Sequence, residues 1–269
     1  MRRASALLLE QRVALFSDSA TAKLAGLKVK VFSDAALLAR AVDLLLVFGG
    51  DGTMLRVARE IAGSTTPILG INIGNLGFLT AVPSSALARA LEKVFAGQFE
   101  LESRVLLEAT SLCGGKKLRQ PALNDIVITR GLSSRLIELE VHVDEEALTR
   151  YRCDGLIVSS PTGSTAYSLA AGGPVIFPTA NVLALTPICP HTLSNRALIL
   201  PLDSKIDIKV MSPGRETILS ADGQVMSELQ SGEEVRVARS NRTVRLVHLA
   251  GSSFCETLRQ KLHWRGASV

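Results

Sequence analysis

The spacing of the apolar residues changes once along this chain, near residue 100, and this change constrains the fold more than any other feature. Up to about Phe99, short apolar runs alternate with stretches of helical spacing, which is typical of a parallel α/β sheet. From Arg104 to about residue 250, helical spacing is nearly absent and strand patterns follow one another. The first part therefore predicts an α/β domain with a parallel sheet, and the second an antiparallel all-β domain.

Helical spacing returns at Ser253–Trp264, where Phe254, Leu258 and Leu262 share one face. We expect this C-terminal helix to return to the N-terminal domain. The predicted domains are residues 1–103, completed by 251–269, and residues 104–250. A chain of 269 residues with 47% hydrophobic residues is long and apolar enough to bury such cores.

Composition excludes several classes of partner and location. Aromatic residues make up 4% of the chain, the net charge is +5 and no run of lysine or arginine occurs, so we expect no nucleic acid partner. No stretch approaches the ~20 apolar residues of a membrane span. The four cysteines are far apart and form no C-x-x-C pair, which favours a reducing, cytoplasmic location over a zinc ribbon or disulfide framework.

The stretch Gly49–Thr53 (GGDGT) is the first candidate site. It follows the apolar run Leu44–Phe48 and precedes the amphipathic stretch Met54–Ala62, so it predicts a strand, a glycine turn and a helix. Backbone N–H groups at Gly50, Gly52 and Thr53 would bind phosphate at such a helix start. Asp51 repels a phosphate unless it acts as a general base or through a cation. A tight turn with an acidic residue at its tip is the alternative.

Two further polar stretches lie in the β-rich part. Asp154–Pro174 (DGLIVSSPTGSTAYSLAAGGP) contains a strand, a hydroxyl-rich loop and a short helix of small residues. Its hydroxyls and N–H groups suit phosphate, ribose or base recognition, although serine and threonine also cap helices. Asn124-Asp125 interrupts a strand pattern where apolar residues are expected, which favours a functional pair over a bulge.

Other motifs narrow the chemistry. The chain has no G-x-x-x-x-G-K-[ST] motif, and Gly70, Gly74 and Gly77 miss the G-x-G-x-x-G spacing. An ATP-using enzyme of this kind must neutralise phosphate charge with backbone N–H groups and a metal, for which Mg²⁺ is expected, although no metal-ligating residues are identified. No histidine has ligand spacing. Arg152 is a candidate phosphate contact, with a solvated charge as the alternative.

Together these stretches resemble the NAD kinase family from about Leu44 to the end of the chain. The resemblance rests on Gly49–Thr53, Gly74–Phe78, Asn124-Asp125, Asp154–Pro174, Asp222-Gly223-Gln224 and Leu258–Trp264. Phosphofructokinases and lipid kinases have turns similar to GGDGT, whereas the Asp154–Pro174 segment is far more specific.

The resemblance implies transfer of a phosphoryl group from ATP to the 2′-hydroxyl of the adenosine ribose of NAD, in a site between the two domains. Asp51 matches the general base, and Phe78 an aromatic residue beside the adenine. Asn124 and Asp125 match residues that hold ribose hydroxyls, and Asp154 one that meets the nicotinamide carboxamide. Further residues match or adjoin the family's dinucleotide contacts, namely Thr162, Thr165, Ala166, Tyr167 and Ser168. Family members are usually homotetramers that share NAD sites between subunits.

Two features depart from the family pattern. The family most often has glutamate where Asp125 stands, and the region before Leu44 is shorter than usual. Two other functions remain open: a lipid or sugar kinase with the same turn, and a non-catalytic NAD(P)-binding module. The second would be expected to lose Asp51, which is present here.

Overall fold

The computed structural model describes residues 1–80, 82–113, 116–131, 135–191, 196–213 and 217–264. The chain divides into two compact units, the first formed by residues 1–103 and 244–269 and the second by residues 104–243. The change of sequence pattern predicts the second boundary at residue 250, beyond the observed one at residue 243. Residues 244–249 join the first unit because Leu246 pairs in parallel with Ile68.

Helices and strands alternate through the first unit. The helices are α1 (Arg2–Glu10), α2 (Ser19–Ala25), α3 (Ala35–Arg40), α4 (Asp51–Glu60) and α5 (Leu87–Phe95). The strands are β1 (Phe16–Asp18), β2 (Lys30–Phe32), β3 (Leu45–Gly49), β4 (Ile68–Asn72) and β5 (Val82–Pro83). All their pairings are parallel: β1 with β2, and β4 with both β3 and β5. Asp18 and Asp34 cap α2 and α3 by accepting backbone N–H groups, which fixes where these helices begin.

The N-terminus differs from the sequence-based expectation. The apolar run Arg12–Phe16 (RVALF) predicts a short buried strand, and this prediction is wrong in its start, because the strand begins only at Phe16 and follows helix α1. Arg12 has a φ of 57°, and its N–H donates to the Leu9 carbonyl while the Val13 N–H donates to the Leu8 carbonyl. These bonds end α1 in a left-handed turn, so an extended strand cannot form at Arg12.

The second unit is built mainly of antiparallel strands. Its elements are β6 (Phe99–Cys113), β7 (Lys116–Ala122), β8 (Asp125–Arg130), β9 (Ile137–Val143), β10 (Glu146–Cys153), β11 (Gly155–Ser159), α6 (Tyr167–Ala170), β12 (Val182–Ile188), β13 (Leu198–Pro201), β14 (Ile206–Val210), β15 (Thr217–Ala221), β16 (Gln224–Leu229) and β17 (Glu234–Leu249). Two of these strands, β6 and β17, have their other ends in the first unit.

One sheet of the second unit has the order β13-β12-β11-β8-β15-β16, and β10, β9, β14 and the first part of β17 form another antiparallel run. A single hydrophobic cluster joins residues of both, for example Ile128 and Val158 with Leu139 and Ile208. Alternate residues of half-buried strands point to this core. The clean alternation of apolar residues over Arg135–Val143 therefore predicts a strand, and the structure has it as β9.

The last helix, α7 (Phe254–Lys261), belongs to the first unit. Its Phe254 ring lies 6.3 Å from the ring of Phe78, and the Lys261 ammonium donates to the Leu76 carbonyl at 2.7 Å. The predicted fold class, an α/β domain with a returning C-terminal helix and an antiparallel β domain, is confirmed. No helix within the described residues has the length and apolar character needed to cross a membrane.

Candidate functional site

The GGDGT stretch forms the predicted strand, turn and helix. Strand β3 ends at Gly49, and Gly50 precedes α4 in an extended conformation. The Gly50 carbonyl accepts the N–H groups of Thr53 at 3.0 Å and Met54 at 3.3 Å, which starts the helix. Met54 and Ala58 anchor α4 because both are fully buried. The turn is thus held by a buried strand before it and a buried helical face after it.

The three glycines of this turn have different structural reasons for being glycine. A Cβ at Gly49 would collide with the Thr53 side chain, so packing explains that glycine. At Gly50 and Gly52, a Cβ would meet no atom of the described chain within 4 Å, and neither has a positive φ. Since neither packing nor backbone conformation demands glycine there, close approach of a ligand explains both residues better than a tight turn alone does.

The Asp51 carboxylate is bound to the loop at residues 78–80. Its Oδ2 accepts the Phe78 N–H at 2.8 Å. Its Oδ1 accepts the N–H groups of Leu79 at 3.0 Å and Thr80 at 3.2 Å and the Thr80 hydroxyl at 3.1 Å. Gly77 lies against Asp51 so closely that a Cβ there would collide with Oδ1. Three of the four contacts fall on Oδ1, so Oδ2 keeps the greater capacity to accept another proton donor.

Sequence reasoning missed Asn72, a residue that holds this loop. Asn72 is buried at the end of β4, and its amide donates to the Asn75 carbonyl at 2.7 Å and the Thr80 hydroxyl at 2.8 Å. Its oxygen accepts the Gly74 N–H at 2.7 Å. Asn72 and Asp51 therefore fix residues 74–80 from two sides. The signal available in the sequence was a polar residue at the carboxyl end of a fully apolar parallel strand.

Phe78 connects this loop to helix α7. Its ring is half-buried, contacts the Phe254 ring and lies 5.7 Å from the Lys261 ammonium, a cation–π distance. The sequence-predicted residues of the first unit, Gly50, Asp51, Gly52, Thr53 and Phe78, therefore belong to one hydrogen-bonded cluster or adjoin it directly.

In the second unit, Asn124-Asp125 lies at the start of β8 rather than inside a strand, since a bend at residues 123–124 separates β7 from β8. Asp125 pairs with Ser159 of β11 and is only 4% exposed. Burial, together with the nearby charge of Asp222, raises the pKa of the Asp125 carboxyl to about 7. No donor within the described part of the chain forms a recorded hydrogen bond with this carboxylate. Ionised Asp125 is costly without such a donor.

The loop after β11 divides into internal and accessible groups. The Thr162 hydroxyl accepts from the buried Arg104 guanidinium at 3.2 Å, and the Ser168 hydroxyl lies 3.0 Å from that of Thr186. Both hydroxyls are buried and serve the fold. Thr165 and Ala166 are half-exposed and Tyr167 is exposed. The accessible part of this loop is therefore 165–167.

Arg104 is a residue that sequence reasoning passed over. It is 4% exposed, and its guanidinium reaches the Thr162 hydroxyl. A lone arginine beside the apolar run Val105-Leu106-Leu107 was the available signal, because buried arginines normally have a specific partner. It fixes the start of the loop that carries Thr165–Tyr167.

Asp154 and Arg152 have different surroundings. Asp154 accepts the Arg130 Nε at 2.6 Å in a partly exposed ion pair, and the Arg130 N–H donates to the Asp154 carbonyl at 3.0 Å. Arg152, on β10, is exposed to solvent. The structure thus fixes the position of Asp154 through its side chain, whereas the Arg152 backbone carbonyl accepts the His191 N–H and its side chain is exposed.

The described residues contain no group of three or more histidine, cysteine, aspartate or glutamate side chains placed to hold a metal ion. The Asp51 oxygens already accept N–H and O–H donors. Within the described ranges, the side chains alone therefore do not form a resident Mg²⁺ site. Mg²⁺ commonly binds through substrate phosphates with few protein ligands.

Comparisons with known proteins cover both units. The ATP-NAD kinase N-terminal domain profile matches residues 26–99, and the ATP-NAD kinase C-terminal domain profile matches residues 123–249. The chain is 48% identical over 227 residues to the NAD kinase of Moorella thermoacetica, covering 84% of this chain and 73% of that protein.

Two solved structures are also similar. Yeast NADH kinase complexed with NADH matches with a TM-score of 0.89 and 27% identity, covering 100% of this chain and 85% of that chain. The NAD kinase from Archaeoglobus fulgidus in complex with ATP matches with a TM-score of 0.74 and 25% identity, covering 94% of this chain and 100% of that chain.

Proposed function

The chain belongs to the NAD kinase family, and we propose that it transfers the γ-phosphoryl group of ATP to the 2′-hydroxyl of the adenosine ribose of NAD, giving NADP. The structural observation that carries this proposal is the Asp51 carboxylate. Four hydrogen bonds fix it at a helix start where a Cβ on Gly50 or Gly52 would meet no atom of the described residues within 4 Å. A fixed carboxylate next to a phosphate-binding turn is what a hydroxyl-activating kinase needs.

Asp51 acts as the general base in this proposal. Its Oδ2 takes the proton of the 2′-hydroxyl as the hydroxyl oxygen attacks the γ-phosphorus, and ADP leaves with the electron pair of the broken P–O bond. The hydrogen bonds from residues 78–80 hold the carboxylate in one orientation, so it loses little freedom on reaction.

The phosphates of ATP would bind at the start of α4. The N–H groups of Gly50 and Gly52 and the positive end of the helix dipole would supply partial charges, in place of a P-loop lysine. The N–H of Thr53 is used differently from the expectation, because it donates to the Gly50 carbonyl. The two glycine N–H groups would hold the phosphates of ATP, and Mg²⁺ bound to the nucleotide would supply further neutralisation of their charge.

The NAD side of the proposal uses the second unit. Asn124 and Asp125 hold the hydroxyls of a ribose, because a carboxylate accepts two hydroxyl donors at once. Asp154, kept in place by Arg130, meets the nicotinamide carboxamide. Thr165, Ala166 and Tyr167 lie along the dinucleotide, and Phe78 beside the adenine. Thr162 and Ser168 support their loop from inside, and Arg152 is assigned to a phosphate.

A substrate panel tests this proposal. The purified protein is incubated with labelled MgATP and, separately, with NAD, diacylglycerol and fructose 6-phosphate. We expect label transfer to NAD alone. Transfer to the lipid or the sugar phosphate would identify another kinase, and binding of NAD without any transfer would identify a non-catalytic module.

Gly52 offers a test of the phosphate-binding turn. Gly52→Ala places a methyl group in open space on a helix, so the free energy of unfolding is expected to stay level or rise by up to about 1 kcal/mol. The added methyl group is expected to keep the phosphate away from the backbone N–H. Loss of one N–H···phosphate bond is worth ~1.5 kcal/mol, so ATP affinity is expected to fall about tenfold or more. Thermal unfolding and ATP titration measure both, with NAD affinity as the control. Unchanged ATP affinity would support the tight-turn interpretation.

We propose a homo-oligomer, a tetramer as in the family. The edge strands β13 and β16 of the six-stranded sheet expose apolar side chains, with Val225 on β16 67% exposed. Uncovered edges of this kind favour association. Light scattering of the purified protein is expected to give the mass of four 28.7 kDa chains. A fully active monomer would contradict both the assembly and any sharing of the site between subunits.

A further inference from the structure

The turn Asp222-Gly223 holds the backbone of residues 123–125. The Asp222 carboxylate accepts three consecutive N–H groups: Leu123 at 3.0 Å, Asn124 at 2.7 Å and Asp125 at 3.3 Å. The Asp222 N–H in turn donates to the Asp125 carbonyl at 3.0 Å. A hairpin turn from β15 to β16 thereby fixes the entry into a different strand, β8.

Ser160 completes the attachment from the other side. Its hydroxyl donates to the Leu123 carbonyl at 2.6 Å, and its N–H donates to the Asn124 carbonyl at 2.9 Å. Gly163 lies so close that a Cβ there would collide with the Asn124 backbone. All six backbone N–H and C=O groups of residues 123–125 therefore have protein partners, which leaves the Asn124 and Asp125 side chains for other contacts.

The requirements of the hairpin alone do not explain Asp222. A two-residue turn with two positive φ angles, here 48° and 75°, is equally well formed by Asn-Gly. Aspartate at this position brings a negative charge against the buried Asp125, which is unfavourable within the free protein. A second carboxylate oxygen is what an asparagine lacks, and Asp222 uses both oxygens on residues 123–125.

We propose that Asp222 is a positioning residue, which holds Asn124 and Asp125 in the conformation that receives the ribose hydroxyls of NAD. This inference rests on the proposed function. Asp222 touches no reacting atom; it acts through the backbone of residues 123–125 and through its charge. The register partner of Asp125 on β11 is the uncharged Ser159, and among the described residues it is the charge of Asp222 that acts on Asp125.

The chain contains a matched control. Asp144, also with a positive φ of 50°, starts the turn between β9 and β10. Its carboxylate accepts the Lys205 N–H at 2.8 Å, and its own N–H donates to the Lys205 carbonyl at 2.9 Å. Asp144 thus makes the same kind of turn-to-strand attachment within the second unit, but it binds Lys205, a residue that is not assigned to NAD.

The experiment compares Asp222→Ala and Asp222→Asn with Asp144→Ala and Asp144→Asn. NAD and ATP dissociation constants, KM, kcat and thermal unfolding are measured on each full-length protein. We expect Asp222→Ala to weaken NAD binding about 10- to 100-fold, as when a charged hydrogen-bonding group is lost, with ATP affinity changed less than about twofold. The Asp144 variants are expected to lower thermal stability without changing NAD affinity.

Asp222→Asn keeps the turn but removes the charge. It therefore tests the pH dependence of NAD affinity, which would stay unchanged if Asp222 had a purely structural role. Without the Asp222 charge, Asp125 ionises more easily, so the pH at which NAD affinity reaches half its maximum is expected to fall. This variant decides the question if Asp222→Ala does not fold. An unshifted pH profile in Asp222→Asn, or equal NAD effects in the Asp222 and Asp144 series, would overturn the positioning role.

Failure of the proposed function gives a different result. If wild-type protein binds no NAD, the function and this inference fall together. If wild-type protein binds NAD and Asp125→Ala weakens that binding, while both Asp222 variants retain wild-type NAD affinity and pH dependence, only the positioning role is wrong.

Discussion

Replacing Asp51 by asparagine is expected to lower kcat by about 10²–10⁴-fold, which corresponds to roughly 3–5.5 kcal/mol of activation free energy. Asparagine keeps the shape of the side chain but cannot take the proton of the 2′-hydroxyl. Steady-state kinetics and NAD titration measure the effect, and NAD affinity is expected to survive.

Asp51 also holds the loop at residues 78–80, so the variant needs a control for loop damage. An asparagine side chain can place its NH₂ group where Oδ2 of Asp51 lies. This NH₂ group cannot accept the Phe78 N–H, so the 2.8 Å hydrogen bond would be lost. Thr80→Val removes one donor to Oδ1 and keeps the carboxylate. We expect Thr80→Val to lower stability by about 1–2 kcal/mol but to keep kcat within about tenfold of wild type. Equal losses of kcat in the two variants would show that Asp51 serves the loop rather than the chemistry.

Replacing Asp125 is expected to weaken NAD binding while making the ligand-free fold more stable at high pH. Asp125→Ala should cost about 1.5–3 kcal/mol of NAD binding, the range for a hydrogen bond to a charged group, and leave ATP affinity unchanged. Asp125→Glu, which restores the commoner family side chain, should be much milder. Titrations with NAD and ATP measure both. If ATP affinity fell instead of NAD affinity, Asp125 would be assigned to the binding of ATP, the phosphoryl donor.

The stability effect follows from the raised pKa of Asp125. Its folded-state pKa of about 7 exceeds the unfolded value of 3.8, so the folded protein holds this proton more tightly. The proton on Asp125 makes its full contribution to the free energy of unfolding below about pH 3.8. This contribution is lost as the pH rises to about 7. Asparagine does not ionise, so Asp125→Asn does not undergo this loss. The gain in free energy of unfolding of Asp125→Asn over wild type should therefore be larger at pH 8 than at pH 5 by about 2–3 kcal/mol.

Denaturant unfolding at the two pH values measures this difference. The control is Asp203→Asn, at a surface carboxylate whose side chain is 83% exposed, where no such difference is expected. A pH-independent effect of Asp125→Asn would mean that Asp125 is already ionised and paired in the free protein. The same ionisation should tighten NAD binding in wild type between pH 6 and 8, because the carboxylate accepts the ribose hydroxyls.

The fold class was predictable because its signals are local. The buried run before Gly49 and the amphipathic stretch after Thr53 specify a strand and a helix through side-chain period alone. The end of α1 was not predictable in this way, because a left-handed Arg12 depends on backbone bonds that leave no mark in hydrophobic spacing.

The site residues were predictable as types but not as partners. Asn124-Asp125 was identified because two polar residues interrupt an apolar pattern, yet nothing local shows that Asp222, 97 residues from Asp125, binds their N–H groups. Likewise, the sequence identifies Asp51 but not its bonds to residues 78–80, which arise only when β3 and β4 pair in parallel. Long-range contacts of this kind depend on the assembled fold.

The position of the new phosphate on the product is the most direct test of the central claim. The wild-type protein is incubated with MgATP and NAD, and the dinucleotide product is isolated and examined by ³¹P–¹H correlation NMR. We predict a phosphomonoester coupled to the 2′-proton of the adenosine ribose, formed in step with ADP. A phosphate at any other position, or ADP formed with no phosphorylated dinucleotide, would contradict the account.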